Sequence, residues 1–222
     1  MIVGVLGFIG SGKGTVGEIL SEIGFKPISF AESVKDVTAL MFGWERKLLE
    51  GDTEESRVFR ETTDKFWSQE FGFEFTPRKA LQLMGTEVGR DIFHSDFWVI
   101  KAKQKMHTLM SQGHENIVIT DVRFPNEMKM IQYEGGITIE VQRGIQPHWV
   151  SIAARANRGD TKAIQFMKES GVHESEWKWV GSDVDCTIDN NGTKEDLKKK
   201  VVTCLTRSFG SSMINEYIEG AL

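Results

Sequence analysis

A chain of 222 residues with 40% hydrophobic and 27% charged side chains has the composition of one soluble α/β domain with insertions, long enough to bury a sizeable core. The net charge of -5 counts against a broad cationic face for nucleic acid, though a local arginine cluster can still hold small phosphates. No apolar run reaches the length of a membrane span, so no membrane partner is expected. The amino terminus enters a strand at once, with neither a basic segment nor a small-residue cleavage site, so no secretion leader is expected. Cys186 and Cys204 share no metal-ligand spacing and read as reduced thiols of a cytoplasmic protein.

Ile2, Val3, Val5 and Leu6 form a short apolar run, the pattern of a strand buried on both faces of a parallel sheet. Directly after it stands Gly7-Phe8-Ile9-Gly10-Ser11-Gly12-Lys13-Gly14-Thr15, and then Val16, Ile19, Leu20 and Ile23 recur at helical spacing until Gly24. Strand, glycine-rich turn and helix in that order predict a phosphate cradle, a P-loop. Backbone N–H groups wrap an anion only where no Cβ blocks the approach, which suits Gly10, Ser11, Gly12, Lys13, Gly14 and Thr15 to a nucleotide triphosphate. Lys13 supplies a movable ammonium, and the positive end of the following helix favours the same charge. Gly14 stands where the general pattern has Ser or Thr, with Thr15 next; this Gly-Lys-Gly-Thr ending is similar to that of nucleoside monophosphate kinases such as adenylate kinase.

A second short strand is predicted over 25–30 and a helix over 31–42, whose apolar face is Val34, Val37, Leu40 and Met41. From Trp44 to Thr76 a charged stretch leads into helical segments carrying Phe59, Phe66, Trp67 and Phe71, which predicts an insertion packed by aromatics. Thr76 caps and Pro77 opens another helix. A helix over 96–110 and the run Ile117-Val118-Ile119 follow, the latter a buried strand carrying Asp121 past its carboxyl end. Residues 125–133 read as a helix, 137–141 as a strand whose alternation suits an edge, 184–188 as the last strand, and Thr193 caps a helix from 194 to about 206. Strands and helices alternate, so the sheet is expected to be parallel and five-stranded, with two insertions over its carboxyl edge. The tail, with Met213, Ile214, Tyr217 and Ile218 at helical spacing, offers either a homodimer contact or packing on the core.

Three more stretches, read with the P-loop, resemble the bacteriophage deoxynucleoside monophosphate kinases, a branch of the P-loop nucleotide kinases. They are Thr76-Pro77-Arg78-Lys79-Ala80-Leu81-Gln82-Leu83-Met84-Gly85-Thr86-Glu87-Val88-Gly89-Arg90 with Asp96-Phe97-Trp98-Val99; Asp121-Val122-Arg123-Phe124-Pro125-Asn126-Glu127; and His173-Glu174-Ser175-Glu176 with Thr187-Ile188-Asp189-Asn190-Asn191-Gly192-Thr193. The resemblance implies a three-layer P-loop kinase fold in one domain, 1–222, with an acceptor-binding insertion at about 44–90 and a lid at about 143–180. It implies ATP and Mg²⁺ as cofactors, a deoxynucleoside monophosphate as substrate, and the host cytoplasm as the location if the protein is phage-encoded.

Arg78 and Gln82 are four apart and share a helical face, with Arg90 on the same helix or just past it. Guanidinium forks suit phosphate and an amide suits a base edge, so with Lys35 and Arg123 these residues are the expected acceptor-binding set. Lys13, Arg78, Arg90, Asp121 and Arg143 are the expected catalytic set, Arg143 also touching the donor, and Thr15 with Asp121 the expected metal ligands. Arg123 either faces the acceptor phosphate or pairs with Asp121. Arg155 and Arg158, three apart, can be aimed by one lid helix, while His173 and Trp149, Trp177 and Trp179 read as structural.

Besides a P-loop protein that binds nucleotide as part of an assembly without turnover, two rivals share the P-loop. One is another small-molecule kinase similar to dephospho-coenzyme A kinase, against which the stretch from Arg78 to Arg90 speaks. The other is a GTPase-type switch, for which Asp189-Asn190-Asn191-Gly192 and Thr193-Lys194-Glu195-Asp196 spell the short patterns. These are adjacent, however, and a switch needs one near the γ-phosphate and the other near the base.

Overall fold

The computed structural model describes residues 1–211 and Ile214. In chain order the elements are β1 (Ile2–Leu6), α1 (Lys13–Glu22), β2 (Lys26–Ile28), α2 (Glu32–Phe42), a 3₁₀ turn (Arg46–Leu49), α3 (Glu54–Glu61), α4 (Lys65–Phe71) and α5 (Pro77–Leu83). A π-helix (Met84–Phe93) follows α5, then α6 (Phe97–Ser111), β3 (Ile117–Ile119), α7 (Pro125–Tyr133) and β4 (Ile137–Gln142). The chain closes with α8 (Val150–Asn157), α9 (Thr161–Glu169), α10 (Glu174–Trp177), β5 (Cys186–Asp189) and α11 (Lys194–Phe209). Two compact units result: Met1–Ser29 with Lys105–Leu222, and Phe30–Gln104.

The first unit holds the whole sheet, five parallel strands in the order β2-β3-β1-β4-β5. Every residue of β1 is buried, as its unbroken apolar run requires of a central strand with both faces covered. Val3 and Val5 face a core shared with Val16, Ile19 and Leu20 of α1 and Leu197, Val201 and Leu205 of α11. The opposite face is covered by α7, whose Ile131 lies so close over Gly4 that a Cβ there would stand 2.4 Å from its Cδ1. Helices above and below one sheet make the three layers. Pro27 sits in β2, an edge strand, where its missing N–H costs no ladder bond.

β4 corrects its expected place: it lies between β1 and β5, and all but Glu140 and Gln142 are buried. Its apparent alternation came from Thr138, a polar residue that is nonetheless fully buried because Asp185 accepts from both its N–H, at 2.8 Å, and its hydroxyl, at 2.9 Å. In the tail, Ile214 packs into the core beside α1 and α11, whereas Met213, Tyr217 and Ile218 lie outside the described residues.

In the second unit the aromatics cluster as expected. Phe42 and Trp44 stack at 4.7 Å, and Trp67, Phe71 and Phe75 close around them edge-on or tilted. The predicted apolar face of α2 is not a packed face: Val34 is buried, but Val37, Leu40 and Met41 are 40%, 85% and 56% exposed, and Thr38 and Ala39 are buried instead. Thr38 takes this interior place by donating its hydroxyl to the Val34 carbonyl.

The helix that begins at Pro77 continues past Leu83 with wider winding. In this stretch the Gly85 carbonyl accepts from the Trp98 indole N–H at 2.9 Å, and Trp98, 3% exposed, is packed with Val34 and Met84. The indole lies flat over Gly89, where a Cβ would stand 2.2 Å from its nitrogen. Gly89→Ala should therefore displace Trp98 and destabilise the protein by about 1–3 kcal/mol, read as a lower urea midpoint. An unchanged midpoint would show that the indole moves aside freely.

Candidate active site

The P-loop leaves β1 through Gly7, which has φ +143 and is hemmed by the Val141 carbonyl and the Ser11 hydroxyl, 2.4 and 2.7 Å from where a Cβ would lie. Gly12, at φ +101, turns the chain into α1, whose first-turn N–H groups have no intrahelical partner. Lys13 folds back over the loop and donates from Nζ to the carbonyls of Gly7 at 2.7 Å and Phe8 at 2.9 Å. The Ser11 hydroxyl, 3% exposed, has no hydrogen-bond partner. Open space lies where side chains at Gly10 and Gly14 would stand. A bent backbone with free donors, a buried hydroxyl and a flexible ammonium fits a polyphosphate.

Lys13 also gathers the other charges. Burial first, and then the nearby Arg123 guanidinium, push its pKa down to about 8 against the opposing carboxylates of Glu176 and Asp121. Asp121 lies just past β3 and accepts from the Ser29 hydroxyl at 2.6 Å. Arg123 settles neither on Asp121 nor in open solvent: its guanidinium donates to Glu176 at 2.9 Å, on the short helix α10, and to the Ser175 hydroxyl at 3.4 Å. Glu127, a carboxylate 1% exposed, accepts from the N–H groups of Arg123 at 2.6 Å and Phe124 at 3.0 Å, and so shapes the turn on which Asp121 and Arg123 stand.

The expected lid segment lies in this unit. Its Trp149 and Trp179 hold the P-loop residue Phe8 at 5.5 and 4.7 Å between ring centres, and Trp177 is buried. His173 caps α10 by accepting from the Ser175 N–H, a structural use. Arg155 is engaged twice by Asp160, at 3.0 and 2.5 Å, and Arg158 stands past the end of α8. Arg143 follows β4 directly and is exposed.

Lys35, Arg78, Gln82 and Arg90 all lie in the second unit. Arg78 and Gln82 are on α5, while Arg90 stands on the π-helix, so the expected common face holds for the first two and is rotated by the wider winding for the third. Arg78 pairs with Glu61, and Arg90 donates to the Ser95 carbonyl at 3.3 Å. Lys35 meets Glu50 at 2.5 Å, and Glu50 also takes Arg46, which reaches Asp36. Partial burial of Glu50 disfavours its charge, but the hydrogen bonds from Lys35 and Arg46 outweigh that and hold its pKa below the ordinary 4.5. The stabilisation is therefore complete above pH 4.5 and is lost as pH falls through the lower folded value. Glu50→Gln should cost about 1 kcal/mol near neutrality, and the gap between its thermal melting curve and that of the wild type should close on acidification; a gap independent of pH would remove the charge from the account.

The sequence reading assigned no role at the site to Phe8, Glu127, Glu176 and Asn190. Glu127 carried a signal, a carboxylate three residues after the cap position of a helix opened by Pro125; the others depend on contacts distant in the chain. The short patterns suggesting a switch have local uses: Asn190 and Asn191 form the turn after β5, and Thr193 with Asp196 make a capping box for α11. Among the described residues, no three of His, Cys, Asp and Glu gather as a metal site, and no helix is long and apolar enough to cross a membrane.

A family model described as deoxynucleotide monophosphate kinase matches residues 48–151, the stretch that carries Arg78, Gln82, Arg90, Asp121, Arg123 and Arg143. A protein of Acanthamoeba polyphaga mimivirus, described as a deoxynucleotide monophosphate kinase, is 27% identical over 214 residues, covering 92% of this chain and 96% of its own. The deoxynucleoside-5'-monophosphate kinase of Escherichia phage T5 is 44% identical over 57 residues, 26% of this chain and 22% of that protein. Among solved structures, the dephospho-CoA kinase of Campylobacter jejuni superposes with a TM-score of 0.43 at 18% identity, over 93% of this chain and 96% of that one. The shikimate kinase of Aquifex aeolicus gives 0.40 at 15% identity, over 95% of this chain and 100% of that one. The resemblance spelled by the P-loop, by residues 76–90 and by residues 121–127 is borne out: the chain is similar to the deoxynucleotide monophosphate kinases.

Proposed function

We propose that the protein transfers a phosphoryl group from ATP to the phosphate of a deoxynucleoside monophosphate, giving the diphosphate, in nucleotide supply for DNA synthesis in the cytoplasm. The observation that carries this reading is the convergence on Lys13, where the P-loop ammonium lies in the fields of Asp121 and Arg123, both in the stretch matched by the family model. ATP supplies the transferable phosphoryl group when bound. The Thr15 hydroxyl and the Asp121 carboxylate would hold Mg²⁺, which would neutralise phosphate charge; a single carboxylate suits an ion that keeps waters and takes phosphate oxygens.

The chain's own residues then have positioning and charge to supply, because a phosphate monoester with a second pKa near ~6 is already mostly dianionic at neutral pH and needs no general base. Lys13 leaves the Gly7 and Phe8 carbonyls for the donor phosphates, and Gly10, Gly12, Lys13, Gly14 and Thr15 offer their N–H groups, that of Ser11 being spent on the Phe8 carbonyl at 3.1 Å. Arg78, Arg90 and Lys35 hold the acceptor phosphate, exchanging Glu61 and Glu50 for a better-matched anion, with Gln82 toward the base. Arg123 exchanges Glu176 for phosphate, and Arg143 follows with the lid insertion at about 143–180, which excludes water. The insertion at about 44–90 is the acceptor-binding part of a single kinase domain. A dephospho-coenzyme A kinase-like activity and a GTPase-type switch are not favoured.

ADP release from Mg-ATP, measured with each ribo- and deoxyribonucleoside monophosphate, should depend on a deoxynucleoside monophosphate and fall about 100-fold or more in Lys13→Ala. Arg78→Ala and Arg90→Ala should raise the acceptor KM about tenfold or more with the ATP KM unchanged. If no monophosphate stimulates release although ATP binds, the acceptor assignment fails. The lowered pKa of Lys13 makes a second test. Phosphate binds the charged lysine, so above about pH 8 binding has to take up a proton, and ATP affinity should fall by up to about tenfold per pH unit. Titration calorimetry in buffers of different ionisation enthalpy reads that proton, and Lys13→Met should abolish its uptake; uptake that persists in the variant would assign the proton to another group.

A further inference from the structure

The turn after β5 reaches over β4 to the back of the P-loop. Asn190, 8% exposed, donates from Nδ2 to the carbonyl of Ser11 at 2.8 Å, and its own N–H donates to the Gln142 carbonyl at 2.7 Å. Asn191 accepts the Gly144 N–H at 2.8 Å through Oδ1, so the same turn also holds the chain just past Arg143. Gly12 packs directly against this amide: a Cβ there would stand 2.2 Å from Asn190 Nδ2. Glycine is thus required at that position twice, for its φ of +101 and for the approach of Asn190.

The carbonyl of Ser11 and the N–H of Gly12 belong to one planar trans peptide and point in opposite directions. A donor that fixes the carbonyl toward the β5 turn therefore fixes the N–H away from it, on the side where the loop offers its other donors. Without Asn190 the carbonyl of a buried, glycine-flanked peptide would lose its partner, and the peptide plane would be free to rotate; a carbonyl turned toward phosphate repels it.

We infer that Asn190 is a positioning residue of the donor site, orienting the Ser11–Gly12 peptide so that its N–H faces the phosphates of the nucleotide. This rests on the kinase reading above. The partner it serves is the polyphosphate rather than the base, and that distinguishes it from a residue that merely completes the fold or touches the nucleoside.

The test is direct titration of ATP, without acceptor, on the full chain carrying Asn190→Asp, which keeps the shape but sets a carboxylate against the carbonyl. ATP should bind about 10- to 100-fold more weakly, while inhibition by adenosine and the acceptor KM hold. Asn190→Ala should fall between the wild type and Asn190→Asp, and it carries the same comparison should the charged variant fail to fold. ATP binding equal to the wild type in both variants, or an equal loss of adenosine and ATP, would overturn the inference. A wild type that binds no ATP would instead sink the kinase reading.

Discussion

A peptide loop that is to wrap an anion has to keep several N–H groups unspent inside a folded protein, where unpaired polar groups are costly. That constraint organises the first unit. The loop's carbonyls are the groups that find partners: Gly7 and Phe8 with Lys13, Ser11 with Asn190. Of its two bulky apolar side chains, Ile9 is exposed and Phe8 is gripped by Trp149 and Trp179.

Within each unit the cations follow the same logic of exchange. Lys13 rests on carbonyls, Arg123 on Glu176, Arg78 on Glu61 and Lys35 on Glu50. Each cation is thus held in a geometry that a carboxylate or carbonyl supplies modestly and a phosphate supplies better, since phosphate brings more charge and more acceptor oxygens. Most of these pairs are partly exposed, so each contributes little to stability and yields readily. A strongly buried partner would have been harder to displace, and Glu127, a fully buried carboxylate of the first unit, accepts from backbone N–H groups and shapes a turn.

Much of this was legible along the chain. The P-loop, the five parallel strands, the aromatic insertion and the caps at Thr76 and Thr193 are written in local patterns, because φ preference, capping and period of burial act within a few residues. Reading failed where a polar residue took an interior place by an unforeseen bond. Thr138 made an inner strand look like an edge, and Thr38 displaced the apparent apolar face of α2. The π-winding after Leu83 was also invisible, as was the bond that the Trp98 indole makes to the Gly85 carbonyl within it.

The sequence by itself determined the order of elements and the glycine-rich loop with its lysine, because each rests on residue type and short spacing. Tertiary structure alone decided which partner each cation keeps and why Gly12 and Gly89 bear no side chain. Those answers depend on Asn190, Trp98 and Glu176, which reach their partners through the packing of strands and helices. An amide 179 residues away can claim the Ser11 carbonyl only because β5 lies one strand beyond β4 in the sheet, a neighbourhood that no local pattern encodes.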